Sequence, residues 1–178
     1  MGSGKTTVGE LLAERTGWPF HDNDVLLREL FDATPRQILA AGDEASLLAA
    51  EVDALWAGLQ RPEPSIVGAA GGTIMDGAAR QEIAFAGIPI WLRVSPDTIF
   101  LRSSIGDHRP WPDADRAAWI ERAEAQRHAL YASVAELTLD ADAAIPSVLA
   151  DRILAHARTS RACPPGLTTR RISALASD

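Results

Sequence analysis

The sequence predicts an α/β domain, a parallel β-sheet covered by helices on both faces in three layers. Three observations carry that prediction. Short apolar runs alternate with longer helical segments along most of the 178 residues. A glycine-rich turn near the N-terminus opens directly onto a helical pattern. The size, with 47% hydrophobic and 23% charged residues, fits one folded domain rather than two or a disordered chain.

Each element has its own signal. Residues 6–16 read as a first helix, stopped by Gly17. Trp18-Pro19-Phe20-His21 is a short strand that ends at Asp22-Asn23-Asp24. Residues 25–31 are helical, and Thr34-Pro35 has the form of an N-cap followed by proline at the first helical position. A helical region over 40–59 is interrupted near Gly42 and broken by Arg61-Pro62-Glu63-Pro64. Residues 65–69 form a buried strand followed by Gly71-Gly72, and 76–86 a helix. The strongest strand pattern covers 88–94. A helix over 96–105, a proline-broken polar loop over 106–113 and a long helix over 116–134 come next. A strand over 136–140 and a helix over 146–157 complete the domain, taken as residues 1–157. Residues 158–178, with Cys163-Pro164-Pro165-Gly166, read as a disordered basic tail.

Composition excludes several classes. No apolar run reaches the roughly 18 residues of a membrane helix, and no basic, then apolar, stretch reads as a secretory signal. The single cysteine cannot form an internal disulfide, and no Cys/His cluster suggests zinc. A cytoplasmic setting is expected. Net charge is −7, of which residues 158–178 contribute +3, leaving −10 on the domain. That balance disfavours nucleic acid as a partner.

The basic residues are unevenly chosen. Sixteen of the 17 are arginine, and the one lysine is Lys5. It stands in Gly2-Ser3-Gly4-Lys5-Thr6-Thr7, which matches the second half of the phosphate-binding loop G-x-x-x-x-G-K-[ST]. The residue types suit phosphate binding. Glycines let backbone N–H groups curl around phosphates, and the following helix points its positive end at them. Lysine reaches the β- and γ-phosphates as a flexible point charge, and the Thr6 hydroxyl can ligate Mg²⁺. The motif's first glycine would precede Met1, as would the apolar strand that normally feeds such a loop. A start upstream of Met1 is expected on that ground, with the sheet lacking a central member in this chain.

With these motifs in place, the sequence resembles a shikimate kinase, a small P-loop enzyme of the nucleoside-monophosphate-kinase-like group. The resemblance runs from Met1 to about Ala157. It implies a five-stranded parallel sheet, a mobile lid, a monomer, and ATP with Mg²⁺ as cofactors. By resemblance Asp22 helps hold Mg²⁺ through water, while Asp24 binds substrate hydroxyls and serves as the base. Gly71 and Gly72 match two of three glycines in a substrate-binding turn. Arg109, in Arg109-Pro110, matches a lid arginine that stabilises the transferring phosphoryl group. Arg127 matches an arginine that grips the substrate carboxylate, and Arg102 one that stacks on adenine.

The pattern also departs from the family. A second carboxylate-binding arginine, expected in a Phe-Arg pair about 24 residues after Asp24, is replaced by Leu48 within Leu47-Leu48. Trp111-Pro112 stands where the lid usually has leucines, and Ala144 at a commonly basic position before the last helix. The expected reaction is phosphorylation of shikimate by ATP. One alternative is a related kinase acting on a cyclitol, an aminated shikimate or gluconate; another is a binder without turnover. The five tryptophans read mostly as core or lid packing.

Overall fold

A computed structural model describes residues 2–102 and 115–160. In order come α1 (Lys5–Thr16), β1 (Phe20–Asp22), α2 (Asn23–Phe31), α3 (Pro35–Ala41), α4 (Glu44–Leu59) and β2 (Ile66–Gly68). A 3-10 turn (Thr73–Met75), α5 (Gly77–Ala86), β3 (Ile90–Arg93) and α6 (Pro96–Arg102) follow. The last elements are α7 (Arg116–Val134), β4 (Leu137–Asp140) and α8 (Pro146–Ala157). The alternation matches the expected one, and α7 and α8 fall on the expected ranges. The lid loop, with Arg109, Trp111 and Pro112, and the tail over 161–178 lie outside the described residues.

Three local features have physical causes. Helix α2 begins two residues before the expected 25: Asp22 caps it, its Oδ1 accepting from the Asp24 amide at 2.9 Å, so Asn23 and Asp24 form the first helical turn. The interruption expected near Gly42 separates two helices, α3 and α4. Thr34 and Gln37 close a capping box that starts α3 at Pro35. Asp43 restarts the chain as α4, its Oδ1 accepting from the Ser46 amide at 2.8 Å. The 3-10 turn after the glycines was not expected from the sequence.

Among the described residues, four strands form two parallel pairs, β1 with β2 and β3 with β4, and a fifth strand joining them is not seen. Phe20 pairs with Ile66 in one, and Ile90 with Leu137 in the other. The two pairs still share a core. Val8 and Leu12 of α1 pack with Leu139 of β4 and Leu149 and Ile153 of α8, and Ile66 of β2 joins the same cluster. Gly9 lets α1 approach closely, because a Cβ there would overlap the Phe20 ring. On the other side α2 packs against α4 through Leu26, Leu27, Ala50 and Ala54. This packing brings the N-terminus of α1 beside the end of β1.

The loop after β4 is fastened to the start of α6. Asp142 accepts from the Ser95 amide at 2.8 Å and from the Ser95 hydroxyl at 3.1 Å. The Ser95 amide is the main reason its carboxyl is held below the ordinary value, with Thr98, the Ser95 hydroxyl and the Arg102 charge adding to it. A lowered folded value means that the stabilisation is present above the unfolded value, about 4, and fades as pH falls through the folded one. Asp142→Ala is expected to lower Tm by about 2–4 °C at pH 7, the effect of losing roughly 1 kcal/mol in a partly solvated hydrogen bond. Thermal melts from pH 7 to 3 check this. The gap between variant and parent should close at the acid end.

Candidate active site

The phosphate loop has the backbone its motif requires. Gly2 and Gly4 sit at positive φ, 68° and 84°, where other residues are strained. Gly4 is the N-cap of α1, so the first amides of that helix face the loop. Lys5 is the first helical residue. Thr6 Oγ1 donates to Asp22 Oδ2 at 2.9 Å, joining the two residues expected at the metal. A hydroxyl and one carboxylate so close fit Mg²⁺, which fills its remaining positions with water and phosphate oxygens. Asp24, half-buried, follows on the first turn of α2.

Arg102 lies at the other edge of this loop. Its guanidinium donates to the Gly2 carbonyl at 3.0 Å and to the carbonyls of Ala141 and Asp142 at 3.0 and 2.6 Å. The end of α6, the phosphate loop and the segment leading into α8 are tied together in this way. Ser3 and Thr7 complete the loop on either side of Gly4 and Lys5.

A small pocket of about 70 Å³ adjoins it, lined by Gly71, Ile99, Trp119, Glu124, Arg127 and Tyr131 among others. Ile99 lies between the two regions, since a Cβ built at Gly2 would come within 3.5 Å of its Cα. The Arg127 guanidinium lies 5.6 Å from the centre of the Trp119 ring. Its Nε is buried with no hydrogen-bond partner among the described residues. A buried guanidinium nitrogen left so is costly unless a ligand meets it, and an anionic oxygen suits it best.

The glycine turn closes the pocket from the side of α4. A Cβ added at Gly72 would lie 2.6 Å from Oε2 of the buried Glu51 and 3.7 Å from Leu48 Cδ1. The residue in place of the second arginine therefore does face the turn, and it is apolar.

Comparison with known proteins identifies the family. The shikimate kinase family model covers residues 1–158. The chain belongs to the shikimate kinase family. A shikimate kinase of Xanthomonas oryzae pv. oryzae is 35% identical over 143 residues, 80% of this chain and 79% of its own. That of Moorella thermoacetica is 31% identical over 146 residues, 80% and 81% of the two chains. The solved shikimate kinase from Acinetobacter baumannii, in complex with shikimate, is similar at TM-score 0.84 and 26% identity over 90% of each chain. The shikimate kinase of Bacteroides thetaiotaomicron, at 23% identity and TM-score 0.78 over 89% and 94% of the chains, shares the fold.

Sequence reading of this shikimate kinase family member singled out the phosphate loop, Asp22, Asp24, Gly71, Gly72, Arg102 and Arg127; the structure joins Asp22 to the loop through Thr6, sets Asp24 behind the Asp22 cap, ties Arg102 to Gly2, and puts Gly71 and Arg127 on one pocket. It missed Glu51, Trp119 and Tyr131. Trp119 is a pocket wall beside Arg127. No local pattern marks Glu51, though Tyr131 stands one helical turn after Arg127 and shares its face. Gly72→Ala is expected to cost about 1–3 kcal/mol through overpacking against Glu51, lowering Tm by roughly 3–10 °C. Gly77→Ala, whose nearest neighbour is the tip of Arg80 at 3.6 Å, should melt within about 2 °C of the parent in the same assay.

Proposed function

We propose that this chain transfers the γ-phosphoryl group of ATP to a hydroxyl of shikimate, giving shikimate 3-phosphate and ADP. The observation that supports the reading is the adjacency of two half-sites: a Cβ built on Gly2 of the phosphate loop would lie 3.5 Å from Ile99 Cα, and Ile99 lines the pocket with Arg127, whose Nε has no hydrogen-bond partner among the described residues. Phosphoryl transfer needs little covalent participation from the protein and depends on alignment and charge stabilisation.

In this reading the amides of Gly2, Ser3, Gly4, Lys5, Thr6 and Thr7 cradle the phosphates, and the Lys5 ammonium spans the β- and γ-phosphates. Thr6 and Asp22 hold Mg²⁺, Asp22 through water. When bound, Mg²⁺ neutralises charge that develops on the phosphate oxygens. Asp24 orients the acceptor hydroxyl and takes its proton. Gly71 and Gly72 present backbone to the acceptor ring, and the Arg127 guanidinium takes its carboxylate. The exposed Arg102 flanks adenine while its in-plane donors hold the three carbonyls. Arg109, which lies outside the described residues, completes the set as the cation on the transferring group. We take the enzyme to act as a monomer and place it in the cytoplasm with its ATP. No described helix is long and apolar enough to cross a membrane.

Leu48 favours a second reading, a kinase for a polyol or an amine-bearing acceptor without a carboxylate at that clamp. The apolar side chain beside Gly72 removes one charge-assisted contact, about 1.5–3 kcal/mol of acceptor binding. ADP release from Mg-ATP with and without acceptor decides between them. Strong stimulation by shikimate is expected. Stimulation only by an uncharged polyol would transfer the assignment, and no stimulation by any acceptor would leave a binder. If shikimate is the substrate, Leu48→Arg should lower its KM about tenfold or more, with KM for ATP unchanged.

A further inference from the structure

We propose that Tyr131 is a positioning residue for the acceptor site, its hydroxyl fixing the Gly71 carbonyl and thereby the placement of the glycine turn relative to Arg127. The acceptor's name rests on the functional reading above, but the geometry of the tie does not.

Tyr131 Oη donates to the Gly71 carbonyl at 2.9 Å across 60 residues of chain. The phenol is itself held. Its ring stacks on Trp91 of β3 at 5.4 Å and 23°, and His128 closes on Trp91 edge-on at 4.9 Å and 82°. Such a ring presents its hydroxyl from a fixed place, backed by a strand rather than by a loop.

Arg127 stands one turn earlier on α7. A Cβ built at Gly71 would meet Tyr131 Oη at 3.3 Å and Arg127 Nη1 at 3.7 Å, so both side chains approach the turn from the same direction. The preceding carbonyl, Ala70, is already engaged by the Thr73 amide at 3.2 Å and hydroxyl at 2.7 Å. Of the two successive carbonyls at the turn, one is held locally and the other from α7. The second tie relates the turn to the helix that carries the guanidinium.

Tyr131→Phe tests this, since it keeps the ring on Trp91 and removes only the hydroxyl. KM for shikimate should rise about three- to tenfold, the loss of one hydrogen bond's worth of alignment, with kcat and KM for ATP within about twofold. In the ligand-free protein the amides of Thr73 and Met75 should exchange with deuterium faster, while those of α7 stay unchanged. Faster exchange with an unchanged KM would make Tyr131 a structural tie and overturn the positioning role. Equal rises in both KM values, or no change in exchange, would overturn it too. Absence of shikimate turnover in the parent enzyme would instead sink the functional reading, and the exchange measurement would still decide whether Tyr131 fixes the turn.

Discussion

The hydrogen bond from Thr6 to Asp22 is the contact on which the rest of the site depends. It connects the second residue of α1 with the last residue of β1 at 2.9 Å, so that the phosphate loop and the strand end act as one unit. Asp22 also works in the other direction, since its second oxygen caps α2 and sets where Asp24 begins that helix. One carboxylate thus orders the metal side and the acceptor side together. Around it, Phe20 under Gly9 fixes how closely α1 can lie on the strand pair. Helix packing does the rest, with Val8 and Leu12 anchoring α1 to α8.

Charge is arranged to match. The domain carries a net negative charge, yet cationic groups collect where anions belong. Lys5 stands at the start of α1, Arg102 bridges the loop to the segment before α8, and Arg127, which lines the same pocket as Ile99, has a buried Nε without a hydrogen-bond partner among the described residues. Placing these groups beforehand lowers the reorganisation needed during transfer. The acceptor side is the less orthodox half. Leu48 and the buried Glu51 line the glycine turn where the family pattern has an arginine, so in the proposed reading carboxylate recognition rests on Arg127 and on the turn that Tyr131 holds.

What could be read in the sequence follows from how local each signal is. The phosphate loop is contiguous, and its lysine is conspicuous against sixteen arginines. Helices α7 and α8 have clear limits because Asp115 and Ile145-Pro146 start them sharply. The division at Gly42 is visible in sequence only as an interruption, because the capping groups of α3 and α4 overlap with an otherwise helical stretch. The pairing of strands into two separate sheets depends on contacts between distant segments, which periodicity does not encode. The same holds for Glu51 against Gly72 and Tyr131 against Gly71. Both are long-range contacts of ordinary helical residues.

The central claim is that Thr6 and Asp22 serve a single Mg²⁺ ion at the head of α1. A Mg²⁺ titration of ADP release in Thr6→Val, Asp22→Asn and the double variant tests it most directly, Asn being able to keep the helix cap. Each single variant should raise the Mg²⁺ concentration for half-maximal rate by about tenfold or more. The double variant should be no worse than the weaker single, because both residues act on one ion. Multiplying effects, or Mg²⁺ requirements that stay at the parent's value, would contradict the account.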